Sequence, residues 1–265
     1  MSFAAALSGC GPVLSNSPPT LFEVSLEIAG RDVGGAIIDT GGGFEVLLKE
    51  PFGLAVVDSA QVLAFGGLQM VKLTEPFAYS AGGLETTAPA AIVDASICDC
   101  NGLGFEFLRK TGLTLGLDFA TPTVAFLPLL PQDGVRIAFQ PSPAGLGDFD
   151  AAFVDVTVAS GGQTRVLRAL LDTGAAATVM RRGLVGTPPV FSSARQDVAV
   201  SHPQLGTVSL GVSLYDTAEL PDMILGTDAM RAWGDRWYFL FAATSGVIVV
   251  HSNAAATGDQ ATPSQ

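Results

Sequence analysis

The sequence predicts an all-β protein made of two similar β lobes. Three observations lead there: apolar residues arrive in short runs separated by turn residues, one hairpin pattern occurs twice, and the triplet Asp-Thr-Gly ends that hairpin both times.

The short runs come first. Hydrophobic residues make up 48% of the 265 residues and charged ones 14%, enough apolar content for sizeable cores and too little charge for a disordered chain. Gly 31 and Pro 16 accompany short stretches rich in Val, Leu, Ile and Phe, the pattern of strands between turns. Helical periodicity does not persist over windows longer than about ten residues. The apolar stretch from Trp237 to Val250 is interrupted by Thr244, Ser245 and Gly246 and reads as two strands. It falls short of the roughly 18 apolar residues of a membrane-spanning helix.

The repeated hairpin comes second. In the first copy Leu21–Ile28 alternates as a half-buried strand, Ala29–Asp32 turns it, and Val33–Ile38 returns into Asp39. In the second, Ala152–Val158 turns at Ala159–Gly162 and Arg165–Leu171 returns into Asp172. Each copy also ends alike. Gly102-Leu103-Gly104 and Ile224-Leu225-Gly226 both lead into a short helix-forming segment, followed by a further strand at Pro122–Leu127 and at Tyr238–Phe241. The organisation expected is an N-terminal tether over 1–20, a first lobe over 21–140, a second over 141–252 and a disordered tail over 253–265.

The triplet comes third, and it carries the chemistry. Asp39-Thr40-Gly41 and Asp172-Thr173-Gly174 lie 172 − 39 = 133 residues apart, one carboxylate per copy. Two carboxylates brought into close contact cannot both ionise, so such a pair shares a proton and can act as acid and base together.

The apolar-apolar-Asp-Thr-Gly runs followed by apolar-Leu-Gly runs resemble the retropepsin-like aspartic proteases. The second copy, Asp172-Thr173-Gly174-Ala175 with Ile224-Leu225-Gly226-Thr227-Asp228, is the closer match. The resemblance covers about residues 21–251 and implies two retropepsin-like β-barrel lobes related by a pseudo-twofold axis. Both copies stand on one chain, as in the two-lobed pepsin arrangement, so a monomer is expected. It also implies an aspartic endopeptidase acting on peptide or protein, with Asp39 and Asp172 catalytic and Thr40, Gly41, Thr173 and Gly174 supporting the loops. Neither a cofactor nor a metal is implied. Phe65, Gly66, Gly67 and Leu68, between the strand-like arms of Leu63–Met70, resemble the glycine-rich flap that closes over substrate. Ser201–Gly206, with a proline and fewer glycines, is its expected shortened or rigid counterpart. One departure stands out: Gly42 and Gly43 follow the first triplet where the family usually has Ala or Ser, which predicts a looser loop around Asp39. Two other readings stay open, a catalytically silent peptide-binding member of the fold and a structural lipoprotein.

The remaining features bound the setting. Net charge is −12, from 13 basic and 25 acidic residues, and Arg181-Arg182 is too short to track a phosphate backbone, so nucleic acid is not an expected partner. Leu7-Ser8-Gly9-Cys10 resembles the lipobox of bacterial lipoproteins, in which the cysteine is lipidated. That resemblance implies a cell-envelope or periplasmic protein touching the membrane only through an anchor at Cys10. The positive n-region is missing and the apolar part is shorter than the roughly 7–15 residues of a signal, so a start assigned too late and a chance match both remain open. Cys98 and Cys100 lack third and fourth ligands at metal-binding spacing, and His202 and His251 supply neither a metal site nor a nucleophile's base.

Overall fold

Each Asp-Thr-Gly run closes a tight β-hairpin. The computed structural model describes residues 6–7, 21–64, 67–94, 99–139, 151–185, 195–216, 220–242 and 246–251, at 6–7, 62–64, 67 and 68 the backbone alone. Strand Glu23–Ile28 pairs antiparallel with Arg31–Ile38, and Phe153–Ser160 with Gln163–Leu171. The turns are tighter than the sequence suggests. Ala29 (φ 51°) with Gly30 (φ 74°), and Gly161 (φ 56°) with Gly162 (φ 78°), form two-residue turns with both residues at positive φ. That geometry matches the right-handed twist of the strands, so the return strands start earlier than the polar residues alone indicate.

The Leu-Gly runs explain themselves in the fold. Strand Asn101–Leu103 lies parallel to Arg31–Ile38, and Met223–Leu225 lies parallel to Gln163–Leu171. Each then enters a helix, α1 (Phe105–Thr111) or α2 (Thr227–Trp233), capped by Gly104 or Gly226. A Cβ on either cap would meet the aspartate loop's own backbone, 2.2 Å from Phe44 O and 2.6 Å from the Ala177 carbonyl carbon, respectively.

Among the described residues the strands gather into three sheets. The first half contributes a ten-stranded sheet, and six strands between Phe153 and Leu225 close into a barrel. A five-stranded sheet joins the halves: Thr114–Asp118 pairs antiparallel with Arg236–Phe241, Gly116 opposite Tyr238. Apolar faces meet over this seam. Phe105 of α1 packs edge-on against Phe241 at 4.8 Å, and buried Trp237 donates its indole N–H to Met230 O at 2.9 Å, tying α2 to the sheet. The outcome is an all-β, two-lobe architecture with two short helices among the described residues.

Two long hairpins rise from the lobes and are held differently. Val56–Ala64 pairs with Gly67–Thr74, and this hairpin joins the rest of its sheet near its base, through Lys72 and Leu73 opposite Ile92 and Ala91. Ala6–Leu7 lies parallel to its outer arm at Leu63 and Ala64, so this part of the expected tether is a strand. Arg195–His202 pairs with Gly206–Tyr215, so the second hairpin is as long as the first rather than shortened, and it is laced to the barrel close to its tip, Ser201 opposite Thr157.

Candidate active site

The two hairpins deliver their aspartates to the same place. Asp39 is 4% exposed and Asp172 0%, and Thr40 and Thr173 are fully buried beside them. The Asp39 N–H donates to Leu103 O at 2.9 Å and the Asp172 N–H to Leu225 O at 3.0 Å, so each Leu-Gly run fixes the acid of its own copy.

The threonines lock one loop to the other. Thr40 Oγ1 donates to Leu171 O at 2.8 Å, and Thr173 Oγ1 donates to Ile38 O at 2.6 Å. Each hydroxyl also accepts from the opposite threonine's backbone N–H, at 3.0 and 3.1 Å. Four reciprocal bonds between residues more than 130 apart in sequence form a closed ring across the pseudo-twofold. Each is worth about 0.5–1.5 kcal/mol net, and much more is lost if one member leaves its partners buried and unsatisfied.

The glycines set the distance between the acids. A Cβ on Gly41 would lie 2.4 Å from the Asp172 carboxyl carbon, and one on Gly174 would lie 2.6 Å from that of Asp39. Only a residue without Cβ lets each loop pass this close to the opposite carboxylate. The Gly41 N–H donates to Asp39 Oδ1 at 3.0 Å, and the N–H groups of Gly174 and Ala175 donate to Asp172 Oδ1 at 2.8 and 3.2 Å. Asp39 also hydrogen-bonds the Asp172 side chain. Burial pushes the Asp39 carboxyl well above the ordinary carboxylate range, and the charge of Asp172 and the bond between them push it further, while the N–H groups of Gly41 and Gly42 pull it down. Two interacting carboxyls of this kind titrate as a coupled pair.

The sequence-predicted residues therefore divide. Asp39, Thr40, Gly41, Asp172, Thr173 and Gly174 come together. Of the flap residues, Phe65 and Gly66 lie outside the described residues; Gly67 is already in a strand, opposite Ala64, so the arms are not centred on Gly66-Gly67. Leu68 sits opposite Leu63. Cys10 lies outside the described residues, as does the 253–265 tail. Cys100 is disulfide-bonded, and Cys98, like Cys10, is outside the described residues. His202 is buried, accepts from the Gln204 N–H on Nδ1 at 3.2 Å and is lowered in pKa by burial against the opposing charge of Asp155, a structural histidine. Among the described residues no cluster of His, Cys, Asp and Glu could hold a metal ion.

Some supporting residues escape sequence reasoning. Glu45 accepts from Tyr79 Oη at 3.0 Å and Lys110 Nζ at 2.9 Å, anchoring the first loop to its lobe. At the matching place in the second loop, Thr178 Oγ1 donates to Asp228 Oδ1 at 2.6 Å. The predicted looseness around Gly42 is also revised: Gly42 is buried, and the Phe44 ring fills the space beside it.

No protein-family model and no curated protein matches the sequence. Among solved structures, the aspartic proteinase from Irpex lacteus aligns with a TM-score of 0.56 at 13% identity, over 91% of this chain and 97% of that one. At such identity the likeness speaks for the fold, and the chain shares the all-β, two-lobe architecture of that pepsin-like proteinase.

Proposed function

We propose that this protein is an aspartic endopeptidase that hydrolyses peptide bonds with a water activated between Asp39 and Asp172. The observation that carries the reading is the reciprocal approach of each triplet to the opposite carboxylate, with the threonine ring holding it. A shared proton gives the pair one acid and one base at once. The base takes a proton from water as its oxygen attacks the scissile carbonyl carbon, and the acid gives its proton to the carbonyl oxygen, forming a neutral tetrahedral diol. In collapse, the amide nitrogen receives a proton from one carboxyl group while the diol returns one to the other. The C–N bond breaks, and the pair regains its single proton.

An extended peptide fits such a site as an added strand beneath the hairpin Val56–Thr74, with Phe65 to Leu68 closing over it. The internal pseudo-twofold supplies both acids, so the active form is a monomer. The expected location is the bacterial cell envelope, with a lipid at Cys10. A disulfide at Cys100 fits an oxidising compartment. Peptide mapping that finds Cys10 bridged to Cys100 would remove the lipid from this reading.

The test is cleavage of an unfolded protein at mildly acidic pH, blocked by pepstatin and lost in both Asp39→Asn and Asp172→Asn. Each substitution is expected to lower kcat by at least about 10³-fold, the scale on which paired catalytic groups act as a unit. Full activity in either single variant would sink the shared-water mechanism. Tight peptide binding without turnover would instead select a silent, peptide-binding member of the fold.

A further inference from the structure

We propose that Phe44 is a positioning residue for Asp39: its ring takes the space beside the carboxylate that a side chain fills in the other loop, and ties that loop to the hairpin Val56–Thr74. This rests on the catalytic reading above. Counting three and five residues on from each aspartate gives Gly42 and Phe44 in the first loop, Ala175 and Ala177 in the second. The backbones correspond. The Gly42 N–H donates to Asp39 O at 3.2 Å and the Ala175 N–H to Asp172 O at 3.3 Å; Gly42 O accepts from the Phe105 N–H at 2.7 Å and Ala175 O from the Thr227 N–H at 2.8 Å. The difference lies in the side chains.

A Cβ on Gly42 would lie 2.5 Å from the Phe44 ring and 2.8 Å from Asp39 Oδ2, so the ring and the carboxylate bound the same small space. A Cβ on Gly102, in the strand beside the loop, would lie 3.3 Å from the same ring. Phe44 is 8% exposed and packs in a buried cluster with Leu47, Ala60, Val71 and Val93. Ala60 and Val71 face each other across the arms of the hairpin, so the cluster that holds the ring joins the loop of Asp39 to that hairpin. Ala175 instead belongs to a cluster of its own barrel, with Phe153, Leu170 and Ile224. Close packing transmits a change of one side chain to its neighbours, so the two loops reach the same backbone with opposite distributions of volume.

The test is a double-mutant cycle with Gly42→Ala, Phe44→Ala and the two combined, read as kcat and KM across pH. Gly42→Ala alone is expected to lose about 100-fold or more in kcat, because the new Cβ displaces the ring or the carboxylate. Phe44→Ala is expected to lose about tenfold in kcat with KM nearly unchanged, the scale of a small misplacement. Its high-pH limb moves to lower pH, because water reaches Asp39 and burial raises that carboxyl less. The charged group facing Asp39 is Asp172; Glu45, on the same loop, turns to Tyr79 and Lys110. The double variant copies Ala175 and Ala177 and is expected to recover to within about tenfold of wild type, a non-additivity of neighbours. Losses that multiply in the double variant, or a Phe44→Ala pH profile that keeps its limb, would overturn the proposal. If the wild type cleaves nothing, the catalytic reading fails separately. The positioning role is then read from the Asp39 titration by ¹³C NMR, which shifts down in Phe44→Ala and holds in Leu47→Ala, a loss from the same cluster; equal titrations in the two variants refute it.

Discussion

The two aspartate loops share the backbone bonds that place their acids and differ in the side chains that stand behind them. In the second, Thr178 bridges to Asp228 at the start of α2 and accepts the Gly226 N–H at 3.1 Å. In the first, the matching Gly104 N–H goes to the Glu45 backbone oxygen at 3.2 Å, leaving the Glu45 side chain for Tyr79 and Lys110. The hairpins also differ in what holds them, the second laced to its barrel near the tip, the first joined to the body of its sheet at its base and to Ala6–Leu7 near its tip. A shared site needs the two carboxylates in register, which the backbone, the glycines and the threonine ring supply. What stands behind each loop is free to diverge as long as it fills the space.

The largest expected effects test the part held in common. Gly41→Ala and Gly174→Ala should each abolish cleavage and cost about 1–3 kcal/mol of stability, because each Cβ drives into the opposite carboxylate. Activity retained in one of them, measured with a peptide substrate, would show that the pseudo-symmetry does not extend to the acids. Thr40→Val and Thr173→Val come next. Each leaves a buried carbonyl and a buried N–H of the other loop unpaired, at about 1–3 kcal/mol per group, and the two losses should match in denaturant unfolding, with Ser at either position restoring most of the stability.

A smaller effect follows from pH. The folded Asp39 carboxyl lies above its unfolded value of 3.8, so the folded state binds more protons in the window between the two. Its stabilising contribution is complete below 3.8 and lost as pH rises through the folded value. Wild-type stability relative to Asp39→Asn should therefore fall with rising pH above that point. In Asp172→Asn the window should narrow, since the neighbouring charge is gone and burial remains. Parallel unfolding curves at every pH would contradict the assignment. The smallest difference is in the hairpin turns, where Ala29 holds the positive φ that Gly161 holds in the second copy. Ala29→Gly should stabilise the protein by about 1 kcal/mol, read as a shifted urea midpoint with unchanged slope.

Much of the site was legible from residues alone because its signals are local. A hairpin that runs into Asp-Thr-Gly, and a Leu-Gly run that opens a helix, are short patterns whose backbone needs are strict, and both copies folded as read. Two details resisted. The stretch Ala29–Asp32 suggests a longer turn than Ala29-Gly30, because a two-residue turn depends on strand twist rather than on which residues are polar. The glycines after Gly41 suggest a loose loop, but glycine is flexible only where nothing occupies the space its missing side chain leaves, and the Phe44 ring occupies it beside Gly42.

By itself the sequence determined the duplication: two hairpins, two acids, two threonines and two glycines at matching places, each readable within a few residues. Only the tertiary structure decided that the acids meet, that each threonine bonds the other loop rather than its own, and where the Phe44 ring goes. Those are contacts between residues far apart in the chain, and their partners are chosen by packing, which no local run of residues records.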